Sequence, residues 1–226
     1  MECLWCDREM IPEISWKNLF QGEKKRILCE MCEGKLQKLI GNRCKRCSRM
    51  TVAPTCADCK RWERQGEMDS IKWNYSIFGY NTFMQDVIAK WKYRGDYLLG
   101  NVFKEYVIQA FKENFAQLGK DVVAVPIPLS TEREKERSFN QAKMLAQFLP
   151  IEMMDVMSRI HGEKQSKKTR IERIGGQNPF FISERVNKSV ILVDDIYTTG
   201  TTLRHAATTL KASGSSTVYS LTLIRG

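Results

Sequence analysis

The most informative stretch of the chain, residues 189–202, reads Ser189-Val190-Ile191-Leu192-Val193-Asp194-Asp195-Ile196-Tyr197-Thr198-Thr199-Gly200-Thr201-Thr202. Its first half is a continuous apolar run of β-branched residues and leucine, which is typical of a parallel strand covered on both faces. Two carboxylates and a Thr/Gly loop follow, and residues 203–212 have the pattern of a helix that Gly214 ends. Backbone N–H groups and threonine hydroxyls at such a helix start can surround a phosphate. The stretch therefore predicts an α/β domain with a phosphate site.

The acidic pair has its own chemistry in this arrangement. Asp194 and Asp195 can accept hydrogen bonds from ribose hydroxyls and can hold Mg²⁺. The order of strand, acidic pair, loop and helix resembles the signature of type I phosphoribosyltransferases, which bind 5-phosphoribosyl 1-pyrophosphate (PRPP) with Mg²⁺. A generic Rossmann-like turn is the alternative. The resemblance implies that the two aspartates are the catalytic pair at the ribose, and it implies a 5-phosphate site made of Thr198, Thr199, Gly200, Thr201 and Thr202.

A second candidate strand, residues 122–128, belongs to the same Rossmann-like parallel sheet. Ligands collect at the carboxyl ends of the strands in open α/β sheets. In the fold of type I phosphoribosyltransferases, the loop after such a strand binds pyrophosphate. The resemblance therefore implies four candidate ligands, which are Arg133, Arg137, Asn140 and Gln141. A solvated helix start is the alternative. Residues 161–173 are polar, with five Lys/Arg against two acids, and they are interpreted as a mobile loop closing over the ligand or as a solvated linker.

All eight cysteines lie between positions 3 and 59, in four Cys-x-x-Cys pairs. Two such pairs can complete one tetrahedral zinc site. Pairing along the chain predicts a first site of Cys3, Cys6, Cys29 and Cys32 and a second site of Cys44, Cys47, Cys56 and Cys59. An interleaved pairing is also open. Four pairs in sixty residues favour two structural zinc ions over redox chemistry or free thiols.

The second of these zinc ribbons is basic. Residues 43–64 carry two acids and seven cations, which are Arg43, Lys45, Arg46, Arg49, Lys60, Arg61 and Arg64. Trp62 lies among them. A cationic surface with an aromatic stacking face suits single-stranded nucleic acid. A solvated face that offsets the thiolate charge is the alternative.

The composition fits a small appendage on one sizeable domain. The chain has 226 residues, 42% hydrophobic and 27% charged, with a formal charge of +10. Eight thiolates and two Zn²⁺ ions would leave about +6, which still favours acidic partners. We expect a zinc-ribbon domain over residues 1–65 and a phosphoribosyltransferase-like domain over 66–226. An aromatic β segment at 73–83 and helices at 86–93 and about 99–118 are expected in the first part of the second domain. Because no apolar leader or span is evident, the expected location is cytoplasmic.

Four features together resemble one family. They are the double ribbon, Lys92-Tyr93-Arg94-Gly95-Asp96, the block from Arg133 through Arg137-Ser138-Phe139-Asn140-Gln141, and the acidic-pair loop. Together they are similar to the ComF (ComFC-like) late-competence family of bacteria. The resemblance implies a role in natural transformation, during import of single-stranded DNA with a helicase-like ATPase that would bring the chain to the membrane. Ser138 stands where the family usually has glycine, and Gly176 where it usually has asparagine.

Three functions stay open at this stage. The favoured one is a DNA-uptake factor that binds a phosphosugar such as PRPP with Mg²⁺, and single-stranded DNA. The second is a working phosphoribosyltransferase with an unidentified acceptor, since the sequence has no recognisable base-binding hood. The third is a scaffold whose ribbons dock the import ATPase. Fold resemblance alone does not decide between them.

Overall fold

A parallel sheet of four strands forms the centre of the chain. The computed structural model describes residues 1–11, 26–66, 70–93, 96–159 and 178–226. Its strands are β1 (Asn74–Gly79), β2 (Val122–Pro126), β3 (Met157–Arg159), β4 (Phe180–Ile182), β5 (Ser189–Tyr197) and β6 (Val218–Arg225). The sheet order is β1-β6-β5-β2 with every pair parallel, while β3 and β4 form a separate antiparallel pair. The predicted parallel α/β sheet is confirmed.

Seven α-helices are described: α1 (Glu30–Glu33), α2 (Ala57–Arg64), α3 (Thr82–Tyr93), α4 (Lys104–Asn114), α5 (Thr131–Arg137), α6 (Gln141–Gln147) and α7 (Thr201–Ala212). The helix expected at about 99–118 is instead α4 between two 3₁₀ helices, Tyr97–Phe103 and Ala116–Leu118. The aromatic β segment predicted at 73–83 is shorter in the structure, where only β1 is a strand. It ends early because the Asn81 carboxamide accepts from Met84 N at 2.7 Å and starts α3. With at most 12 residues each, the described helices fall short of the roughly 20 that a bilayer span takes.

The two faces of the sheet bury different partners. On one face, Ile191 of β5 belongs to an apolar cluster with Phe78, Trp91 and Phe103. On the other face, Leu192 of β5 shares a cluster with Leu203 of α7 and with all four cysteines of the second ribbon. Alternate residues of one strand thus face opposite layers, as the pleat requires. Both clusters contain side chains from before and after residue 65. The domain boundary expected at residue 65 therefore stays a prediction.

A buried polar network attaches the second ribbon, residues 43–64, to the sheet. Ser48 Oγ donates to Asn74 O at 2.8 Å and accepts from Ser76 N at 3.1 Å. The Asn74 carboxamide oxygen accepts from Ser220 Oγ at 2.9 Å, and Ser76 Oγ lies 2.7 Å from Thr222 Oγ1. Because unpaired polar groups are costly to bury, this network fixes how the ribbon sits on β1 and β6.

Other segments cover both edges of the sheet. On the β1 side, Leu39 N donates to Ile77 O and Gly79 N to Gln37 O, both at 2.9 Å. On the other side of the sheet, Ala124 of β2 forms a parallel bridge with Met153. Covered edges remove the unpaired backbone groups that would otherwise recruit another strand.

Ser138 ends α5 in the left-handed region, with φ of 63°. A Cβ is unfavourable there, and glycine carries no such penalty. This geometry gives a physical reason for the glycine that the family resemblance leads one to expect at this position.

Ser138→Gly is therefore expected to stabilise the chain by about 1 kcal/mol, because it relieves the left-handed strain. Urea unfolding followed by circular dichroism measures the change. Ser138→Ala is the matched control, since alanine keeps the Cβ and gains nothing. Equal or lower stability of the glycine variant would show that the turn is not strained.

Candidate functional site

The loops after β5 and β2 lie at the same edge of the sheet, because both strands are parallel and end there. Asp194 and Asp195 lie in the C-terminal half of β5. The Asp195 amide donates to Asp194 Oδ1 at 2.8 Å. The loop after β2 leads into α5, which carries Arg133 and Arg137. The structure thus brings the predicted acidic pair and the predicted arginines to one edge.

Two further cations complete this edge, and the sequence analysis did not assign them to the site. Lys92, near the end of α3, forms an ion pair with Asp195, and both side chains are largely buried. Arg159, at the end of β3, acts electrostatically on Asp194 together with Lys92, Arg137 and Arg133. Lys92 belongs to a sequence motif that carries the family resemblance. Arg159 gave no local signal, because tertiary packing alone brings it within electrostatic reach of Asp194.

Burial controls the protonation of this site. It raises the pKa of Asp194 to about 6, and the neighbouring cations, Lys92 foremost, oppose that rise. Burial also lowers the pKa of Lys92 to about 8, assisted by repulsion from Arg137 and opposed by Asp194. Four cations against two carboxylates give the site a positive balance near neutral pH. Such a site suits a ligand with several negative charges.

The Thr/Gly loop, residues 198–202, connects this acidic edge to α7. Gly200 is the N-cap residue, with φ of 85°, and α7 runs for 12 residues behind it. The hydroxyls of Thr199 and Thr201 lie 2.9 Å apart. The first amides of a helix lack intrahelical partners and attract anions. All five predicted loop residues therefore lie together at a helix start.

Asn140 and Gln141 have other surroundings. The Asn140 carboxamide accepts from Ala142 N at 2.9 Å as the cap of α6, and its Nδ2 donates to Ile127 O at 3.0 Å. Gln141 is only 2% exposed. The Asn140 side chain thus links α6 to the segment after β2, the buried Gln141 carboxamide has no hydrogen-bond partner within the described residues, and the two arginines act on Asp194 at the edge itself.

Residues 161–173, expected to form the closing loop, and Gly176 lie outside the described residues.

The eight cysteines form two compact clusters, grouped in the sequential order rather than the interleaved one. Cys3, Cys6, Cys29 and Cys32 form the first, Cys44, Cys47, Cys56 and Cys59 the second, and in each the sulfurs lie within 4.8 Å of one another. The Cys6 and Cys29 sulfurs are 3.7 Å apart, and those of Cys47 and Cys56 are 3.5 Å apart. Zinc–sulfur bonds of about 2.3 Å at tetrahedral angles place thiolates about 3.8 Å apart. The clusters could thus hold metal ions, and their all-sulfur donor set fits zinc.

The two ribbons repeat one local design. Asp7 N donates to Cys3 O, and Ser48 N to Cys44 O, both at 3.0 Å. Asp7 and Ser48 both have left-handed backbones, with φ of 57° and 61°. In both clusters the third cysteine's amide donates to the first cysteine's sulfur at 3.3 Å. Amide-to-sulfur hydrogen bonds of this kind orient metal-binding thiolates.

Trp62 corrects one sequence-based interpretation. Its side chain is 1% exposed, and its Nε1 donates to Thr199 O at 3.0 Å. The guanidinium of Arg204 in α7 lies 4.9 Å from the ring centre. A ring buried in this way has no face left for a nucleic acid base, so the proposed stacking role of Trp62 is wrong.

The seven basic residues of the second ribbon have different surroundings. Arg49 pairs with Asp58 at 2.6 Å, and Arg61 approaches the same carboxylate at 4.0 Å. Arg43 stacks over the Tyr75 ring at 4.7 Å. The side chains of Lys45, Lys60 and Arg64 are exposed.

Arg46 leads to a second charged region. It donates to Lys72 O at 2.7 Å. It also lines a cavity of about 260 Å³ together with Ile71, Lys72, Lys211, Ser216 and Thr217. Because Lys72 precedes β1 and Thr217 precedes β6, this cavity lies at the opposite edge of the sheet from Asp194.

Comparisons with known proteins agree with this architecture. A family model described as the phosphoribosyl transferase domain matches residues 135–226. The chain is 38% identical over 229 residues to competence protein ComFC of Bacillus subtilis, covering 99% of this chain and 94% of that protein. It is 31% identical over 228 residues to competence protein ComFC of Streptococcus pneumoniae, covering 100% of each.

Solved phosphoribosyltransferases give a partial structural match. A hypoxanthine phosphoribosyltransferase from Staphylococcus aureus is 25% identical with a TM-score of 0.30, covering 54% of this chain and 64% of that one. A purine phosphoribosyltransferase from Pyrococcus horikoshii is 17% identical with a TM-score of 0.29, covering 54% and 82%.

Gly200→Ala is expected to distort the Thr/Gly loop. A Cβ at this position would overlap the Tyr197 hydroxyl and lie 2.5 Å from its Cζ, and φ is already positive. We expect a loss of more than about 2 kcal/mol in the free energy of unfolding, because strain and overlap add. Urea unfolding measures it. Gly119→Ala is the control, since φ there is +80° and a Cβ would meet nothing within 4 Å. Equal losses in the two variants would show that Tyr197 does not constrain the loop.

Proposed function

This chain belongs to the ComFC family of competence proteins, and we propose that it serves DNA uptake by binding a phosphoribosyl ligand and single-stranded DNA. The ligand class is a phosphosugar such as PRPP with Mg²⁺. The chain would act on the cytoplasmic side of the membrane with a helicase-like import ATPase. Family membership supports the competence role, and the geometry below supports the ligand classes.

One observation carries the phosphosugar part: four cations and two carboxylates converge beside a helix start at one sheet edge. PRPP presents a 5-phosphate, ribose hydroxyls and a pyrophosphate. The Thr/Gly loop would bind the 5-phosphate, and Asp194 with Asp195 would accept from the ribose hydroxyls. Arg133, Arg137 and Lys92 would neutralise the pyrophosphate.

Mg²⁺ and zinc would have separate roles. When PRPP is bound, Mg²⁺ would screen its phosphate charge, with the Asp194 and Asp195 carboxylates as the available oxygen ligands. Each four-cysteine cluster would hold one zinc ion. Four protein ligands leave no open position, so zinc would stabilise the ribbons without taking part in chemistry.

The alternative is an active phosphoribosyltransferase with an unidentified acceptor, and the intact Asp194/Asp195 pair favours it. Transfer would break the bond between ribose C1 and the pyrophosphate oxygen and would form a bond from C1 to the acceptor. Release of pyrophosphate from PRPP, only in the presence of an acceptor, would identify this activity.

The cavity lined by Arg46, Lys72 and Lys211 is the region proposed for the DNA backbone. It combines three cations with the hydroxyls of Ser216 and Thr217, and no acid is among its described lining residues. Exposed Lys45, Lys60 and Arg64 extend the positive charge over the same ribbon. Phosphate contacts of this kind supply affinity without reading sequence. The DNA and the phosphosugar would therefore occupy opposite edges of the sheet.

PRPP with Mg²⁺ is expected to raise the melting temperature of the native protein by several degrees. A ligand at about 100 times its Kd adds about 2.7 kcal/mol to the free energy of unfolding. The Asp194→Asn, Asp195→Asn double variant should lose the shift, because its amides cannot replace the two anionic acceptors. Differential scanning fluorimetry with PRPP, in buffers with and without added Mg²⁺, measures both effects. Asp86→Asn with Asp121→Asn, two exposed carboxylates, is the matched control. An unshifted native protein would contradict the phosphosugar proposal.

Replacing two lysines of the cavity is expected to weaken binding of single-stranded DNA and to flatten its salt dependence. Each lost phosphate contact should reduce the slope of log K against log salt by about 0.7. Fluorescence anisotropy of a labelled oligothymidine across a salt series measures both. Lys72→Gln with Lys211→Gln is the variant, and Arg46 is left intact because it holds Lys72 O. Lys104→Gln with Lys112→Gln on α4 is the charge-matched control. Equal slopes of log K against log salt in the two double variants would show that this cavity is not the DNA site.

A further inference from the structure

Two buried side chains connect the second cysteine cluster to the Thr/Gly loop. Trp62 lies in α2, three residues after Cys59, and its indole N–H donates to Thr199 O at 3.0 Å. Arg225, at the end of β6, is 6% exposed, and its Nη1 donates to Tyr197 O at 3.0 Å and to Thr198 O at 2.9 Å. The Arg225 Nη2 lies 3.7 Å from Cys47 Sγ. Three successive carbonyls therefore accept from donors that belong to the second ribbon or contact it.

The direction of these carbonyls fixes the direction of the amides. In a trans peptide, the C=O of one residue and the N–H of the next point in opposite directions, and the described chain has no cis peptide. Carbonyls of residues 197, 198 and 199 that face the ribbon therefore turn the N–H groups of residues 198, 199 and 200 away from it. Those N–H groups belong to the Thr/Gly loop and directly precede the first amides of α7, which begins at Thr201.

Neighbouring packing leaves this arrangement little freedom. The Tyr197 ring is 3% exposed and lies under both Gly200 and the Arg225 guanidinium, which is 4.8 Å from the ring centre. The Arg204 guanidinium covers the other ribbon contact, the Trp62 ring, at 4.9 Å. Rotating the Thr199 peptide plane would leave the Trp62 indole N–H without its acceptor, which is unfavourable for a buried donor.

We propose that Trp62 and Arg225 are positioning residues that orient the phosphate-binding amides of the Thr/Gly loop, and that the second ribbon is thereby part of the ligand site. The inference rests on the proposed function, because it takes the loop to bind a phosphate group. It predicts a linkage: an intact second cluster tightens phosphate-ligand binding, and the ligand tightens metal retention by the same factor.

The decisive measurement is the affinity for PRPP with Mg²⁺, by isothermal titration calorimetry, in three variants with full zinc content. Trp62→Phe keeps a ring for the core and for Arg204 but removes the indole donor. Arg225→Lys keeps the charge but lacks the planar fork that reaches the two carbonyls with Nη1 and Cys47 Sγ with Nη2. Each is expected to weaken PRPP binding about tenfold. Trp5→Phe, which changes a tryptophan of the first ribbon, should leave the affinity within twofold of native.

A second readout separates positioning from general destabilisation. Zinc transfer to a chromogenic chelator is followed in a Cys6→Ser background, which disables the first cluster and leaves the second as reporter. PRPP is expected to slow this transfer severalfold, and the added Trp62→Phe change should abolish the slowing. A merely structural tryptophan would change the basal transfer rate but would leave the protection by PRPP intact.

The outcomes distinguish this inference from the proposed function. If the native protein binds PRPP and both ribbon variants bind it equally well, the inference is overturned and the proposed function stands. If the native protein binds neither PRPP nor inorganic phosphate, both are overturned. Binding of inorganic phosphate alone would redirect the ligand assignment, and the same variants would then be compared with that probe.

Discussion

A peptide plane cannot turn its carbonyl without turning the N–H group on its other side, and residues 197–200 connect the two halves of this chain through that constraint. Donors at the second ribbon hold the carbonyls of Tyr197, Thr198 and Thr199. The N–H groups of the residues that follow these carbonyls therefore point away from those donors. The second ribbon therefore packs against the Thr/Gly loop. Its cysteines share one hydrophobic core with Leu192 of β5 and Leu203 of α7, the two elements that this loop connects.

The chemistry of the edge follows from its balance of charge and burial. An acidic pair alone would repel a phosphosugar. Lys92, Arg133, Arg137 and Arg159 reverse the sign of the local field, while burial keeps the Asp194 pKa raised. The edge can therefore attract phosphate groups and still offer carboxylate oxygens to hydroxyls. The parallel sheet brings the acidic pair and the loop after β2 to one edge, and the packing of α3 and β3 adds Lys92 and Arg159.

Local patterns in the sequence predicted the parts that are local in the structure. The β5 strand with its acidic pair, the Thr/Gly loop and the sequential cysteine clusters each depend on spacing within a short segment. Arg159 and Lys92 could not be placed in this way, because their position beside Asp194 depends on how β3 and α3 pack. Trp62 was misassigned for the same reason. A tryptophan among seven cations fits an exposed stacking face or a buried anchor equally well, and only the neighbouring Thr199 carbonyl separates the two.

Arg225 shows why the cluster and the loop should be treated as one unit. Four thiolates around one Zn²⁺ would carry a net charge of about −2, and a buried cluster in that state would need a cation close by. Arg225 supplies that charge near Cys47 and gives its other N–H groups to Tyr197 O and Thr198 O. Removing the thiolates would leave a buried guanidinium with less compensation, which is costly in a low-dielectric interior. Removing the guanidinium would leave the cluster and Thr198 O without this donor, while Tyr197 O would keep its hydrogen bond from Gly226 N. Because the Arg225 side chain contacts both the cysteine cluster and the Thr/Gly loop, a change in the cluster is expected to affect the loop, and a change in the loop to affect the cluster.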